Sequence, residues 1–465
     1  MLSFFRVNAP YQIVSYIVLL VLLQAPFYLS PPPLLVPELS WMLIGEKMGQ
    51  GFMIYRDVWD NISPLSAVVY WIVDELFGRS PAAHRTLANL LILLQALYFN
   101  YISNERQLFT ERNYVPGVLY LLFANVSFDC STLSPVLMAT TFVLLAFGTI
   151  IKQIQREGAT DEVFELGFYL SVSTLFYLPF GFFSIWAIVS LILYSGTNFR
   201  QYALGAFGFL FPIGLTLLFF FFRNTLDDLA RNLMGSISST FQYRLSDFQT
   251  VINTFAVAFG LGVLGFLQTI NYPRFVNYQT RCQQIMIFWL LTTLLTIGFM
   301  SYLAPLQFVI FIAPFAFFAV NFFMLIKRRW VAELMFLGVF FWILFIHYRG
   351  FLTPTQPNTL PELTVKESVL PAQIQQQKIV VLGQDEGEYK NNYPATAYLN
   401  WELARYDFER LDSYESVISI YNNFTADPPT YVIDKASLMP KLFVRLPALA
   451  KRYRATQWKG IYQRI

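Results

Sequence analysis

Apolar segments of membrane-spanning length recur up to residue 350, separated by short polar connections. A helix of about 20 residues crosses the hydrocarbon core of a bilayer, so each segment is a candidate span. The pattern predicts an all-α polytopic membrane protein with about eleven transmembrane helices. The candidate spans are residues 12–30, 83–103, 114–128, 135–151, 163–179, 183–196, 202–222, 251–270, 284–302, 304–326 and 330–348. For 163–196 the alternative is one long hairpin, kinked at Pro179 and Gly181.

The first span is predicted to remain in the mature protein. The apolar run from Ile13 to Leu29 is long enough to cross the membrane. It is followed by Ser30 and three prolines, not by a small-residue cleavage site.

Lys and Arg residues are distributed unequally between alternate connections, which predicts the orientation by the positive-inside rule. With the N-terminus in the cytoplasm, the short outer connections 129–134 and 180–182 carry no Lys or Arg. An odd number of spans then places the C-terminal part outside the cytoplasm. The cytoplasmic cations are Arg106, Arg112, Lys152, Arg156, Arg200, Arg274, Arg281, Lys327, Arg328 and Arg329.

Two long polar segments, 31–82 and 223–250, would lie on the outer side. Within the first, we predict two helices at the membrane interface, within 37–50 and 63–78. Both are apolar but too short to be spans.

The chain is divided here into a transmembrane domain, residues 1–349, a Pro-rich linker, 350–376, and a last domain, 377–465. In the last domain, strand and helix patterns alternate. This alternation predicts a small extracytoplasmic α/β domain.

Composition supports the membrane assignment and narrows the chemistry. The chain is 56% hydrophobic and 13% charged, and its net charge of +3 does not suggest a nucleic-acid partner. With 2 Cys and 2 His, no zinc-ligand spacing occurs. Cys130 and Cys282 are predicted on opposite sides of the membrane, so we expect no disulfide between them. We predict no cofactor and no metal.

The most distinctive stretch lies just after the first span. It contains Gly51, then Tyr-Arg-Asp at 55–57, Trp-Asp at 59–60, Pro-Leu at 64–65 and Phe-Gly-Arg-Ser at 77–80. Two carboxylates, an arginine and two large aromatics are thus concentrated between the two predicted interface helices.

This stretch resembles the first outer loop of GT-C glycosyltransferases, in particular bacterial proteins related to the dolichyl-phosphate-mannose mannosyltransferases. The resemblance implies a polytopic enzyme of the inner (cytoplasmic) membrane. Such an enzyme would transfer a sugar from a polyprenyl-phosphate carrier to an acceptor hydroxyl at the outer face. The acceptor would be a glycan, a lipid or a protein, and envelope proteins are possible partners.

Within that resemblance, Asp57 is the predicted general base, because a base must reach the acceptor hydroxyl. The predicted ligands of the carrier phosphate are arginines, which bind phosphate by bidentate geometry. Tyr55 and Trp59 offer aromatic faces to a sugar or an isoprenoid. Asp60 is also counted with the substrate site, and Asp57 with Asp60 can hold one divalent cation, although the mechanism requires none. The phosphate-binding candidates are Arg56, Arg231, Arg244 and Arg349.

Structural roles compete with each of these assignments. Asp60 can be the N-cap of the second interface helix, and Asp129 in the second outer loop can be a solvated carboxylate. Arg231 and Arg244 can extend to the interface, and Arg349 can be a helix-end cation. We expect His347 to anchor a helix end rather than to carry protons.

Two other function classes compete with a glycosyltransferase. A transporter should have ionisable residues at mid-bilayer depth, and the centres of these spans lack them. A non-catalytic scaffold subunit of a cell-envelope assembly, built on the same fold, remains the alternative. It is favoured by the lack of a clear acidic motif in the second outer loop and of a substrate motif in the last domain.

Overall fold

The computed structural model describes residues 1–155, 161–196, 198–237, 245–271, 275–352, 360–368 and 370–465. It divides into two compact units, each built from three stretches of the chain. The helical unit comprises Met1–Pro32, Ala82–Thr216 and Tyr243–Pro361. The mixed unit comprises Pro33–Pro81, Leu217–Gln242 and Glu362–Ile465. Part of the predicted linker, 353–359 and 369, lies outside the described residues.

The helical unit contains a short N-terminal helix and a series of apolar helices. Its α-helices are Leu2–Arg6, Gln12–Leu29, Pro81–Glu105, Val115–Ala124, Pro135–Gln155, Asp161–Phe176, Phe183–Tyr194, Phe199–Phe222, Phe248–Ile270, Asn277–Ile297, Ile312–Leu325 and Arg329–Leu352. Short 3-10 helices are Phe128–Ser131, Leu178–Phe182 and Pro305–Phe311.

Seven helices among the described residues are long and apolar enough to cross a membrane, so the chain is a multi-pass membrane protein. They are Gln12–Leu29, Pro81–Glu105, Pro135–Gln155, Phe199–Phe222, Phe248–Ile270, Pro305–Leu325 and Arg329–Arg349. Every predicted span coincides with a helix, but the other helices are shorter or more polar. The count of eleven therefore stays a prediction.

The mixed unit begins with the two helices predicted between the first two spans. They are Val36–Gly49 and Pro64–Phe77, with 14 residues each, and both have a proline in the first turn. Pro is favoured there because its missing N–H would be unpaired anyway. Each is about 21 Å long at 1.5 Å per residue, too short for the hydrocarbon core.

These two helices pack directly on each other. A Cβ atom on Gly45 would lie 2.5 Å from the carbonyl oxygen of Tyr70, so only glycine permits this approach. Next to that contact, the rings of Trp41 and Tyr70 stack with centroids 5.5 Å apart. The pair is therefore a rigid support for the loop that joins the helices.

The C-terminal part of the mixed unit is a small α/β domain, as predicted. Its five strands are β1 (Lys378–Leu382), β2 (Tyr393–Pro394), β3 (Tyr431–Asp434), β4 (Tyr453–Ala455) and β5 (Ile461–Arg464). The sheet order is β2-β1-β3-β5-β4. β1 is parallel to β2 and β3, whereas β5 is antiparallel to both β3 and β4. The helices are Trp401–Glu409, Tyr414–Ala426, Met439–Arg445 and Pro447–Ala450, and Leu226–Ile237 completes the mixed unit.

Candidate active site

The loop between the two short helices makes a tight turn at residues 53–58. The Asp57 N–H donates to the Met53 carbonyl at 2.8 Å, and the Tyr55 N–H donates to the Val58 carbonyl at 2.8 Å. Tyr55 has a φ of 72°, a left-handed conformation that is uncommon for a non-glycine residue. Such strain persists only where the surroundings fix it, and it concentrates at functional sites.

Tyr55 is held from the inside. Its side chain is fully buried, its hydroxyl donates to the Ile62 carbonyl at 2.6 Å, and its ring lies 5.4 Å from that of Phe220. Asn232 of helix Leu226–Ile237 donates to the Tyr55 carbonyl at 3.1 Å. This placement does not fit the predicted role of Tyr55 as a face for a sugar, since both sides of the ring are occupied by protein.

Asp57 points outward from the same turn. The Arg56 guanidinium donates to both carboxylate oxygens, at 2.9 and 2.8 Å, and the Met53 N–H donates to Oδ2 at 2.9 Å. Partial burial raises the pKa of Asp57, but these donors outweigh it and the net shift is downward. Asp57 is therefore ionised at neutral pH. The carboxylate is 28% exposed and the Arg56 side chain 54%, so both are open to a ligand.

Trp59 points the other way, into the α/β domain. The backbone N–H of Trp59 donates to the Ala397 carbonyl at 2.8 Å, and the Trp59 carbonyl accepts from the Asn400 backbone N–H at 3.3 Å. The indole ring is 8% exposed and belongs to the domain's hydrophobic core, where it meets Tyr398 edge-on at 5.1 Å. The predicted ligand-stacking face is thus covered, and Trp59 anchors the loop to the domain.

Asp60 is buried beside Trp59. Its Oδ1 accepts from the Ile62 N–H at 2.8 Å, and its carboxylate also interacts with the Asn400 side chain. Burial raises the pKa of Asp60 to about 6, although those hydrogen bonds oppose the shift. The N-cap alternative is wrong, because the cap of helix Pro64–Phe77 is Ser63. Asp60 is therefore a turn-forming carboxylate with little access to substrate.

Two basic residues without a role predicted from the sequence hold the α/β domain to the short helices. Lys47, fully buried, pairs with Asp427, which Lys378 also contacts at 3.0 Å. Arg79, in the Phe-Gly-Arg-Ser segment, pairs with Glu46. Its Nη1 donates to carbonyls of the domain at residues 389, 390 and 392. In the sequence, Lys47 follows Glu46 and reads as solvated surface, and Arg79 is marked only by its place in the Phe-Gly-Arg-Ser segment, so no local signal predicts their contacts with the domain.

Of the other predicted arginines, the structure brings one near the loop. Arg231 is exposed on helix Leu226–Ile237 and interacts electrostatically with Asp228 and Asp407. Asp228 in turn interacts with Arg56, so alternating charges run from the loop across this helix to the α/β domain.

The remaining two predicted arginines are Arg349 and Arg244. Arg349 is exposed near the end of helix Arg329–Leu352 in the helical unit. Arg244 lies outside the described residues. His347, as expected, bonds within its own helix, with Nδ1 3.0 Å from the Ile343 carbonyl.

The interpretation of Asp129 as a solvated carboxylate is wrong. Asp129 is fully buried, not solvated: it accepts from the Ser127 hydroxyl and, at 2.8 Å, from the Leu306 N–H. Burial raises its pKa to about 6. A polar hydrogen-bonding partner far along the chain makes this burial possible, and sequence spacing does not reveal it.

Comparison with solved structures places the fold. The chain is similar to ArnT from Cupriavidus metallidurans bound to undecaprenyl phosphate, with a TM-score of 0.53 and 12% identity, over 76% of this chain and 68% of ArnT. For ArnT in the apo state the TM-score is 0.53, with 16% identity over 76% and 66%. The similarity to the Archaeoglobus fulgidus oligosaccharyltransferase in the apo form extends over 97% of this chain and 75% of the oligosaccharyltransferase, with 12% identity. Its TM-score of 0.49 is too low to support an inference. No family model matches the chain, and no curated protein is similar to it in sequence.

The chain has the GT-C fold.

The GT-C resemblance expected from residues 51–80 is therefore confirmed for the fold. Identities of 12% and 16% carry no residue roles across, so the GT-C fold leaves the assignment of Asp57 as a prediction. Within the described residues, no group of three or more His, Cys, Asp or Glu is placed to hold a metal ion. The candidate chemistry of this chain rests on Arg56 and Asp57, next to the helix that carries Asp228 and Arg231.

Proposed function

We propose that this protein is a membrane glycosyltransferase that transfers a sugar from a polyprenyl-phosphate carrier to an acceptor hydroxyl. The observation that carries the proposal is the outward-facing Arg56–Asp57 pair, on a strained loop whose neighbouring side chains are buried. ArnT, whose fold this chain shares, was solved with undecaprenyl phosphate. The shared fold supports a lipid-linked donor without fixing which one.

The proposed step needs a base and a stabilised leaving group. Asp57 accepts the proton of the acceptor hydroxyl while its oxygen forms a bond to the anomeric carbon. The bond between that carbon and the phosphate oxygen breaks, and its electron pair stays on the carrier phosphate. Attack opposite the phosphate inverts the anomeric centre. Because Asp57 is ionised at neutral pH, it is ready to accept a proton.

The departing phosphate gains negative charge next to a low-dielectric region, where a nearby cation stabilises it strongly. Arg56 is the first candidate, because it adjoins Asp57 and is half exposed. Arg231 is the second, since the helix that carries it also bonds the Tyr55 carbonyl. Arg244 and Arg349 remain predicted phosphate ligands. The other atoms of the loop then act as positioning groups, and Tyr55, Trp59 and Asp60 hold the pair in place.

The direct test is sugar transfer by purified protein in lipid nanodiscs, using a panel of polyprenyl-phosphate sugars. Turnover by the wild type supports an enzyme. No turnover with any donor contradicts the proposal and favours the scaffold alternative. One observation favours that alternative: Arg56 and Met53 already occupy the Asp57 carboxylate, so a hydroxyl must share it.

We also propose a topology for the protein in the inner membrane. It has eleven spans and a cytoplasmic N-terminus, and its α/β domain at 377–465 is extracytoplasmic. Four helices would then cross the membrane although they are short or relatively polar, which is tolerated where neighbouring helices cover them. They are Val115–Ala124, Asp161–Phe176, Phe183–Tyr194 and Asn277–Ile297. Reporter fusions at Lys327 and Pro371 should report opposite sides of the membrane. The same side for both contradicts the eleven-span topology.

A further inference from the structure

Acidic and basic residues are separated along the sequence of the α/β domain. Residues 435–465 contain 8 Lys and Arg and no Asp or Glu. The rest of the chain holds 24 Lys and Arg against 29 Asp and Glu, so the positive net charge of the protein arises in this last segment. Acidic residues of the domain face helix Val36–Gly49, through Asp427 on Lys47 and Glu386 on Ser40.

The basic segment is concentrated on the β4–β5 hairpin, and its cations face solvent. We call the exposed side chains of Lys451, Arg452, Arg454, Lys459 and Arg464 the basic edge. Arg452 bonds Thr425 and lies over the Tyr421 ring. Among the described residues, the other four form no ion pair with a carboxylate. Such a concentration of unneutralised charge raises the local concentration of anions.

The sheet order places this edge far from the two short helices of the mixed unit, Val36–Gly49 and Pro64–Phe77. β4 is one edge strand and β2 is the other. Helix Val36–Gly49 contacts β2 and the turn before it. Four strand spacings, about 19 Å at 4.8 Å each, separate β4 from β2. This separation exceeds the Debye length of about 8 Å at physiological salt.

The side of the mixed unit that suits lipid is a different one. Helix Pro64–Phe77 exposes Val68, Trp71, Ile72 and Leu76 at helical spacing, an apolar stripe suited to a membrane interface. That helix packs on Val36–Gly49, at the β2 side of the sheet. A headgroup surface meeting the stripe therefore meets the unit at the side opposite β4.

We propose that the basic edge is a docking surface for an anionic glycan, a carbohydrate chain that bears carboxylate or phosphate groups. β4 is an open edge strand, with Arg454 at its centre and Lys451 and Arg452 just before it. A flexible polyanion can align along such a row, release its counterions and be held without a deep pocket. This binding does not depend on the proposed transfer reaction, and a chain without turnover would still show it.

The test uses the full-length protein in nanodiscs of zwitterionic phosphatidylcholine, with fluorescent polygalacturonate as the carboxylate-bearing glycan. We expect binding that weakens about tenfold or more between 50 and 200 mM salt, as counterion release requires. Neutral dextran should not bind. The variant K451Q/R454Q/K459Q should lose about tenfold or more in affinity, and because these three side chains are exposed, the fold should be retained.

The matched control is K390Q/R405Q/R410Q, which removes the same charge from exposed cations of the same domain outside the basic edge. Its affinity should stay within about twofold of the wild type. Equal losses in both variants, or no binding of polygalacturonate by the wild type, would overturn the proposal. Co-flotation with phosphatidylglycerol vesicles in the absence of glycan binding would also overturn it, in favour of a lipid surface. Thermal unfolding of both variants confirms that they are folded.

Discussion

The two sides of the loop at residues 53–60 differ in solvent exposure and in electrostatic environment, although their residues are neighbours in the sequence. On the outward side, Arg56 and Asp57 form an exposed pair, and the pKa of Asp57 is lowered. On the inward side, Trp59 and Asp60 are buried in the α/β domain, and the pKa of Asp60 is raised to about 6. Two carboxylates three positions apart thus have opposite electrostatic environments. The motif combines an exposed ion pair on one side with an anchor to the α/β domain on the other.

The comparison is sharpest in the rate of sugar transfer. Replacing Asp57 with Asn removes the proposed base and should reduce turnover by about 100- to 10,000-fold. The fold should be retained, because an exposed ion pair contributes only about 0–1 kcal/mol. Turnover in nanodiscs is measured beside the thermal unfolding temperature. Asp227→Asn, which changes an exposed carboxylate on the neighbouring helix, serves as the control. Equal turnover for wild type and Asp57→Asn would remove Asp57 from the mechanism.

On the inward side the largest effect should be on stability. Trp59→Ala empties part of the domain core, and such a truncation costs about 3–5 kcal/mol in the free energy of unfolding. Transfer should fall as well, because the loop loses its anchor two residues from Asp57. Trp59→Phe keeps most of the packing and should restore much of both. Limited proteolysis of the α/β domain reports the anchoring directly, and unchanged protection of Trp59→Ala would contradict it.

The ionisation of Asp60 should make the free energy of unfolding depend on pH. Its pKa is about 6 in the folded protein and about 3.8 ordinarily. Between those values the folded state holds the extra proton, so this group lowers stability as pH rises toward 6. A difference of about two pKa units corresponds to about 3 kcal/mol. Asp60→Asn should therefore stabilise the protein by up to about that amount at pH 7.5, and by little at pH 4. A stability gain that is independent of pH would rule out this origin.

The smallest effect concerns Arg56. Because Arg56 helps hold the pKa of Asp57 down, Arg56→Gln should raise it. The acid limb of the pH–rate profile should then move to higher pH, while the free energy of unfolding changes by less than about 1 kcal/mol. Arg56→Lys should return the limb toward its wild-type position. A fall in rate without any movement of the acid limb would assign Arg56 to phosphate binding alone.

Sequence reasoning succeeded where a single local pattern carries the information. Hydropathy located the helices, and two short apolar runs predicted Val36–Gly49 and Pro64–Phe77. The Tyr-Arg-Asp stretch pointed to the GT-C fold, which the similarity to ArnT bears out. It failed for side-chain orientation, because residues 55, 57, 59 and 60 lie in a turn where no periodicity separates inside from outside. Buried partners such as Lys47 with Asp427 were also missed, since they are 380 positions apart.

The sequence by itself determined that this chain crosses a membrane and that an α/β domain follows its apolar helices. These properties follow from the free energy of moving side chains between water and lipid, which is summed residue by residue along the chain. Only the tertiary structure decided that Trp59 belongs to the core of a domain more than 300 residues away, and that Asp57 faces outward. Burial and ion pairing depend on contacts between segments that are distant in the sequence, and no single segment specifies those contacts.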